Sequence, residues 1–403
     1  AERPSRMSSP SWGFTATRAL TAGLGSASRL AEHLSGLGVQ RPLIVTDRGV
    51  LAAGILDGAA ESLRRSQIAF EVYDETVADP PADQVHAAAG QARAMRADGV
   101  VGFGGGSSMD IAKLVALLAS PGCTQPLDDM FGVGNVRAAR LPLVQVPTTA
   151  GTGSEVTPIA IITTAPGTKQ GVVSPQLLPD LAVLDGELTA SLPPHVAAAT
   201  GIDAMVHAIE AYTSHRLKNP LSDLLAREAL SLLGANIAAV CAAGEGQPAG
   251  AEARGAMLLG SCYAGLAFAN APVAAVHALA YPLGSTFHVP HGLSNSLMLP
   301  HVLDFNARSE QATSLYAELA PIVCSRQLGE CAASAAVAAG AFVDHFARLP
   351  AELGLPTTLR EVGVAEADIG SLAANAMLQT RLLPNNPREV HLDDAERIYR
   401  AAL

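Results

Sequence analysis

The stretch Gly99-Val100-Val101-Gly102-Phe103-Gly104-Gly105-Gly106-Ser107-Ser108-Met109-Asp110 runs an apolar, strand-like segment straight into three consecutive glycines and then into a helix start. Ser107 and Ser108 suit an N-cap, because a short hydroxyl accepts from an unpaired amide of the first turn. The periodicity then predicts a helix over Ser108–Ala119. Glycine permits positive φ and close backbone approach. The free amides and dipole of a helix start favour an anion such as a pyrophosphate. The spacing matches neither the G-x-G-x-x-G pattern nor the phosphate-loop pattern ending in Lys, so the loop alone reads equally as a tight structural turn.

Working outward, β-like runs at Pro42–Thr46, Ile68–Tyr73, Gly99–Phe103 and Leu141–Val146 alternate with helical patterns at Val50–Arg65, Ala82–Ala97 and Ser108–Ala119. Strand and helix in alternation imply a parallel sheet with helices on its faces. Two more β-like runs follow, at Ile159–Thr163 and Leu181–Leu184. After Pro193-Pro194 the apolar spacing becomes helical, over Val196–Ser214, Pro220–Ala242, Ala251–Asn270, Ser309–Val323, Ala332–Glu352 and Ala365–Gln379. The expected fold is therefore an α/β N-terminal domain over residues 13–190, whose glycine loop would suit the pyrophosphate of a dinucleotide, and an all-α C-terminal domain over residues 191–403.

With 403 residues, 49% of them hydrophobic and only 16% charged, the chain has the length for two domains and the apolar content for large cores. A net charge of −11 without basic runs argues against nucleic acid as a partner. No apolar run reads as long enough to span a membrane. Ala1–Gly13 is polar and Pro/Ser-rich without an apolar signal core, and Met7 is a candidate natural start. Cys123, Cys241, Cys262, Cys324 and Cys331 are scattered and form no C-x-x-C pair, so they read as free, small apolar side chains. Together these features point to a cytoplasmic protein.

A second loop, Pro147-Thr148-Thr149-Ala150-Gly151-Thr152-Gly153-Ser154-Glu155, also follows an apolar run. Its hydroxyls and glycines suit a cleft at the carboxyl ends of parallel strands. The same segment also reads as a polar loop with a capping box, since Thr152 and Glu155 have that spacing. Asp47 ends a strong strand, where an acid accepts from a ribose diol and repels a 2′-phosphate; an N-cap reading fits the position equally.

Asp203 and His207 stand four apart on a predicted helix and so share one face. His277 and His291 come much later. One carboxylate and three imidazoles make a four-ligand set suited to Fe²⁺ or Zn²⁺. Such a set leaves a divalent ion with about one unit of positive charge, enough to stabilise negative charge on a substrate oxygen. Each residue also has an ordinary reading, and spacing leaves His288 and His301 as competitors.

Taken together these segments resemble the iron-containing, or group III, alcohol dehydrogenase family. The resemblance runs from about residue 13 to the end. It rests on Gly104-Gly105-Gly106-Ser107 with Asp110 and Lys113, on the loop 147–155, on Gly201-Ile202-Asp203-Ala204 with His207, on His277, and on Pro290-His291-Gly292; Asn385-Asn386-Pro387-Arg388 adds to it. The resemblance implies an NAD(H)-dependent enzyme acting on a small alcohol, aldehyde or ketone, with cofactor and metal between an α/β and a helical domain. It implies Asp203, His207, His277 and His291 as metal ligands. Gly105, Gly106, Ser107, Asp110, Thr148 and Thr149 would hold the cofactor, with Asp47 favouring NAD; Asp79 and Lys169 also fall at cofactor positions. Family members commonly form homodimers.

Two departures stand out. Tyr281 occupies a place where many members carry a further His, which is thought to help move a proton. Ala271-Pro272-Val273-Ala274 replaces a stretch that commonly contains glycine. The alternatives within the superfamily are a maleylacetate reductase-like member, often without the full metal quartet, and a glycerol dehydrogenase-like member with a different ligand set. A dehydroquinate synthase-like lyase would need a more basic phosphate pocket. From another class, a non-catalytic nucleotide-binding sensor would keep the glycine loop and lose the metal.

Overall fold

The computed structural model describes residues 11–165, 168–242, 250–324 and 334–403. Its main sheet has six strands: β1 (Leu20–Ala22), β2 (Pro42–Val45), β3 (Glu71–Tyr73), β4 (Gly99–Gly104), β6 (Leu143–Pro147) and β9 (Leu181–Leu184). Their spatial order is β1-β9-β6-β4-β2-β3, and every pairing is parallel. From β2 the chain first builds outward to β3, then returns to place β4 on β2's other side. That reversal opens a crevice beyond the carboxyl ends of β2 and β4, the position where open α/β sheets take ligands.

Alternation along the central strands explains the two-sided cover. Leu43 and Val45 face one core with Val100, Leu143 and helices α4 (Ala82–Ala94) and α5 (Gly106–Leu118). Ile44, Val101 and Phe103 face the opposite core with residues of α1 (Leu30–Gly36) and α3 (Asp57–Arg65).

Several boundaries differ from the sequence reading. The predicted helix Val50–Arg65 is two, α2 (Arg48–Ala52) and α3, because the chain turns through Gly54 at φ 67°. Ile159–Ala165 (β7) does not join the main sheet. It pairs antiparallel with Thr168–Val173 (β8), which also pairs with Gly132–Val133 (β5), in a separate three-stranded sheet.

The helical half contains α6 (Pro194–Thr213), α7 (Pro220–Ala242), α8 (Ala251–Asn270), α9 (Ala275–Phe287), α10 (His291–Asn306) and α11 (Glu310–Val323), followed by helices Ala335–Glu352, Ile369–Met377 and Leu392–Ala402. The expected helix start at Ala332, and Cys331 with its expected free thiol, lie outside the described residues. In this half three described helices went unread in the sequence, α9, α10 and the last, as did α1 in the first half. Pro282 and Pro300 sit inside α9 and α10 and signal breaks, while the N-caps are Ala274 and Pro290, which carry no capping side chain. By length and composition α7 does reach membrane-spanning size, contrary to the expectation for the chain. It includes Asp223, Arg227 and Glu228 and packs Ala226, Ala229, Leu230, Leu233 and Ile237 into the core shared with α6 and α8.

The two halves meet through paired glycines. A Cβ on Gly265 of α8 would stand 2.8 Å from both the Cα and the carbonyl oxygen of Gly153, and Gly153 itself turns through φ 60°. Backbone cannot yield as a side-chain tip can. Gly265→Ala is expected to cost about 1–3 kcal/mol in denaturant unfolding. Gly255→Ala, on the same helix with open space around it, is expected to be neutral or to stabilise by up to ~1 kcal/mol.

Candidate metal centre and cofactor cleft

The glycine loop forms as the sequence implies, with the helix starting earlier: Gly105 is the N-cap and α5 begins at Gly106. The glycines are needed for space. A Cβ on Gly104 would lie 2.7 Å from Ser108 Oγ, and one on Gly106 would lie 2.9 Å from Thr152 Cγ2. Gly105, Gly106 and Ser107 remain partly exposed at the helix start.

Asp47 serves both of its readings. Oδ1 accepts from Val50 N at 2.9 Å as the N-cap of α2, while Oδ2 lies 3.5 Å from where a Gly104 Cβ would be, beside the glycine loop. Asp47 also lines a cleft of about 450 Å³ with Arg48, Asp74 and Glu75 among its walls. Thr149 lies beside Gly105, and the amide of the buried Thr148 donates to Gly104 O. Asp79, at φ 51°, pairs with Lys169 Nζ at 2.6 Å, and that ammonium lies 3.8 Å from the Cβ position of Gly284 on α9. Asp110 is more committed than expected: Oδ1 accepts from Ser154 Oγ at 2.6 Å and Oδ2 from Ile161 N at 2.8 Å, which tie the second loop and β7 to α5.

The second loop is not a capping box. Thr152 Oγ1 accepts from Ser154 N, and Glu155 turns inward. There Glu155 is buried beside Lys113 and Cys262, with Oε1 unpartnered among the described residues. Lys113, fully buried, donates to Ser154 Oγ, Thr157 Oγ1 and the Ile159 carbonyl. Burial, partly offset by Lys113, pushes the Glu155 carboxyl up to about 7 from an ordinary 4.5.

The distant residues of the metal constellation converge. Ligand atoms of Asp203, His207, His277 and His291 all lie within 4.8 Å of one another, and no other such group occurs among the described residues. Asp203 and His207 come from α6, His277 from α9, and His291 from the first turn of α10. His288 is instead the left-handed C-cap of α9, and His301 lies outside the cluster. Gly292 lets α10 sit against α6, since its Cβ would stand 2.5 Å from the Ala199 carbonyl oxygen.

His207 and His277 are oriented from behind, and Asn295 reaches the inward atoms of the other ligands. His207 Nδ1 donates to the Gly151 carbonyl at 3.2 Å, which leaves Nε2 for the cluster. His277 Nδ1 donates to the Glu210 carboxylate at 2.6 Å. Asn295, fully buried on α10, donates to Asp203 Oδ1 at 2.6 Å and lies 3.2 and 3.3 Å from the Nε2 atoms of His277 and His291. Burial holds His207 well below its ordinary value, and holds His291 at about 4 despite the favourable Asp203 charge. Neutral imidazoles keep the lone pairs a cation needs. His291 is the open side: its side chain is 34% exposed, against 2% for Asp203 and His277. An N₃O donor set, buried on three sides and open on one, fits Fe²⁺ or Zn²⁺ with a free coordination position.

Glu210, Asn295 and Phe268 went unrecognised in the sequence. Glu210 follows His207 by three and Asn295 follows His291 by four, so helical spacing was the available signal. Phe268 stacks on His207 with ring centroids 4.4 Å apart and carried no signal. Tyr281 does join the site, edge-on to His277 at 6.4 Å and 5.8 Å from His291. Burial pushes its phenol up to about 12, with Arg381 acting in the opposite sense.

A doubly covered parallel sheet with a glycine-rich switch-point loop, joined to helices bearing a buried N₃O cluster, defines a metal-dependent dehydrogenase architecture. Residues 17–186 match the family model described as iron-containing alcohol dehydrogenase, and residues 197–403 match the C-terminal model of the Fe-containing alcohol dehydrogenase family. The long-chain-alcohol dehydrogenase 1 of Geobacillus thermodenitrificans is 38% identical over 383 residues, covering 94% of each chain. A 1,3-propanediol oxidoreductase structure superposes with a TM-score of 0.91 at 30% identity, covering 98% of this chain and 100% of the other. Sulfoacetaldehyde reductase from Bifidobacterium kashiwanohense, in complex with NAD⁺, gives a TM-score of 0.85 at 28% identity, covering 98% and 99%. The chain belongs to the iron-containing alcohol dehydrogenase family. It is an oxidoreductase of the alcohol dehydrogenase kind.

The Glu155 shift carries a pH signature. The folded carboxyl keeps a proton that the unfolded chain releases from about 4.5 upward. Its stabilising contribution is therefore complete below that value and is lost as pH rises through about 7. Glu155→Gln is expected to flatten unfolding free energy across this window, with a gain of ~1–3 kcal/mol over wild type at pH 8 relative to pH 5. Urea titrations of both proteins at the two pH values measure it.

Proposed function

We propose that the protein interconverts a small alcohol with its aldehyde or ketone, using NAD(H) and a divalent cation, Fe²⁺ or alternatively Zn²⁺. The observation that carries this reading is the placement of residues 147–157. Thr149 and Thr152 lie against Gly105 and Gly106, and the Gly151 carbonyl holds His207. A dinucleotide on the glycine loop and a cation on the histidine cluster would therefore share one cleft.

In this reading Asp203, His207, His277 and His291 hold the cation. Gly105, Gly106 and Ser107 turn helix-start amides toward the pyrophosphate, with Thr148 and Thr149 beside them. Asp47 meets the adenosine ribose. Lys169, held by Asp79, reaches across toward α9 at the nicotinamide side. Asp110 acts by fixing the second loop, since both of its carboxylate oxygens are engaged there. When bound, the cation supplies Lewis acidity toward the substrate oxygen and the nicotinamide supplies the hydride acceptor or donor.

Phe268 and Tyr281 wall the open side, excluding water and orienting the substrate. Tyr281 stays a neutral phenol near neutral pH, which suits a hydrogen-bond donor and not a base. Residues 13–190 and 191–403 are the two working units, with the cleft between them. A homodimer is supported by the edge position of β1 among the described strands and by the exposed Leu20 and Leu24. The four described cysteines are unpaired, which supports a reducing, cytoplasmic setting.

Purified protein reconstituted with Fe²⁺ or Zn²⁺ is expected to bind the ion stoichiometrically and to form NADH from a panel of short alcohols. Asp203→Ala and His291→Ala are expected to lose the ion and at least ~100-fold in turnover. Full metal content and turnover in either variant would refute the reading, and NAD(H) binding by the wild type without metal uptake or turnover would favour a sensor. Separately, Asp47→Gly is expected to lower the NAD⁺ over NADP⁺ preference in kcat/KM by about tenfold or more, because the carboxylate no longer repels a 2′-phosphate.

A further inference from the structure

Glu210 stands on α6 one turn after His207, buried to 3% exposure, and receives two hydrogen bonds from the start of α9. Oε1 accepts from the backbone amide of Val276 at 2.7 Å, and Oε2 accepts from His277 Nδ1 at 2.6 Å. Its one ion-pairing partner among the described residues is the His277 ring, and no Lys or Arg pairs with it. A buried carboxylate without a lysine or arginine partner is costly unless hydrogen bonds compensate it, so its retention here calls for a role.

The arrangement differs from those behind the neighbouring ligands. His207 is backed by a neutral carbonyl, and Asp203 accepts from a neutral amide. Among the described residues His277 is the one ligand backed by a carboxylate. A carboxylate accepting from Nδ1–H fixes the tautomer, turns Nε2 toward the other ligands and raises its electron donation. The second hydrogen bond, to Val276 N, fixes the carboxylate and ties the first turn of α9 to α6. His277 and Tyr281, both on α9, are thereby oriented together.

We infer that Glu210 is a positioning residue of the metal centre, which holds His277 as the Nδ1-protonated ligand and sets the site's affinity for a divalent cation. This rests on the metal reading above and adds a second negative charge next to the one on Asp203. A glutamine at 210 keeps the volume. However, both of its partners are donors, so only one can face the amide oxygen while the other meets an NH₂ group.

The test uses the full-length metal-free protein and Zn²⁺, with competition against a chromophoric chelator. Glu210→Gln is expected to weaken Zn²⁺ binding about 10–100-fold, while NADH binding to the metal-free variant stays at the wild-type value. If Glu210→Gln lowers the melting temperature yet binds Zn²⁺ within about twofold of wild type, the role is purely structural and the inference is overturned. Failure of wild type itself to take up Zn²⁺ would instead overturn the metal reading. Imidazole ¹⁵N NMR of the metal-free wild type decides the matter even if the variant does not fold. His277 protonated on Nδ1 is the expected state, and His277 protonated on Nε2 overturns the inference.

Discussion

The Gly151 carbonyl accepting from His207 Nδ1 is the contact on which the site depends. It links a loop at the carboxyl end of β6 to a helix in the other half of the chain. The same loop reaches the glycine turn through Thr149 and Thr152, and α8 through Gly153 and Gly265. Loop conformation therefore sets both the anion-binding turn and the orientation of one imidazole. The constraint is steric as much as polar. Gly151 packs against Thr200 and Gly292 against Ala199, so backbones approach to distances that no side chain would allow.

Electrostatics follow from that closeness. Drawing α6, α9 and α10 together buries a carboxylate and three imidazoles in a small volume, and burial keeps His207 and His291 neutral. His207 and His277 have their outer nitrogens engaged and so turn Nε2 inward, where a cation needs a lone pair. Two other buried ionisable groups meet at the loop, Lys113 of α5 and Glu155, and they act on its rigidity. Lys113 makes its bonds to Ser154, Thr157 and Ile159, all within or just after the loop. Tyr281 borders His277 and His291, and its phenol keeps its proton far above neutral pH, so it shapes the open side without titrating.

Local chemistry was legible in the linear chain. The alternation of apolar runs specified the parallel sheet, since strand and helix periods differ and each must bury a face. The glycines at 104–106 announced a turn that approaches a ligand or a neighbour, and Asp203 with His207 announced a shared helical face. His277 and His291 could be proposed only by residue type and resemblance, because nothing local sets the distance between separate helices. Internal Pro282 and Pro300 even hid the helices that carry and follow them.

Spacing left His288 and His301 beside His291, and the tertiary structure brings His291 to the cluster without them, since that depends on how α10 docks on α6. It also placed Glu210 behind His277 and Asn295 against Asp203, and it turned Glu155 inward when its spacing advertised a cap. Sequence spacing determines which side chains share one element's face, a consequence of backbone geometry. The packing of separate elements, fixed here by glycine contacts and buried hydrogen bonds, decides which faces meet.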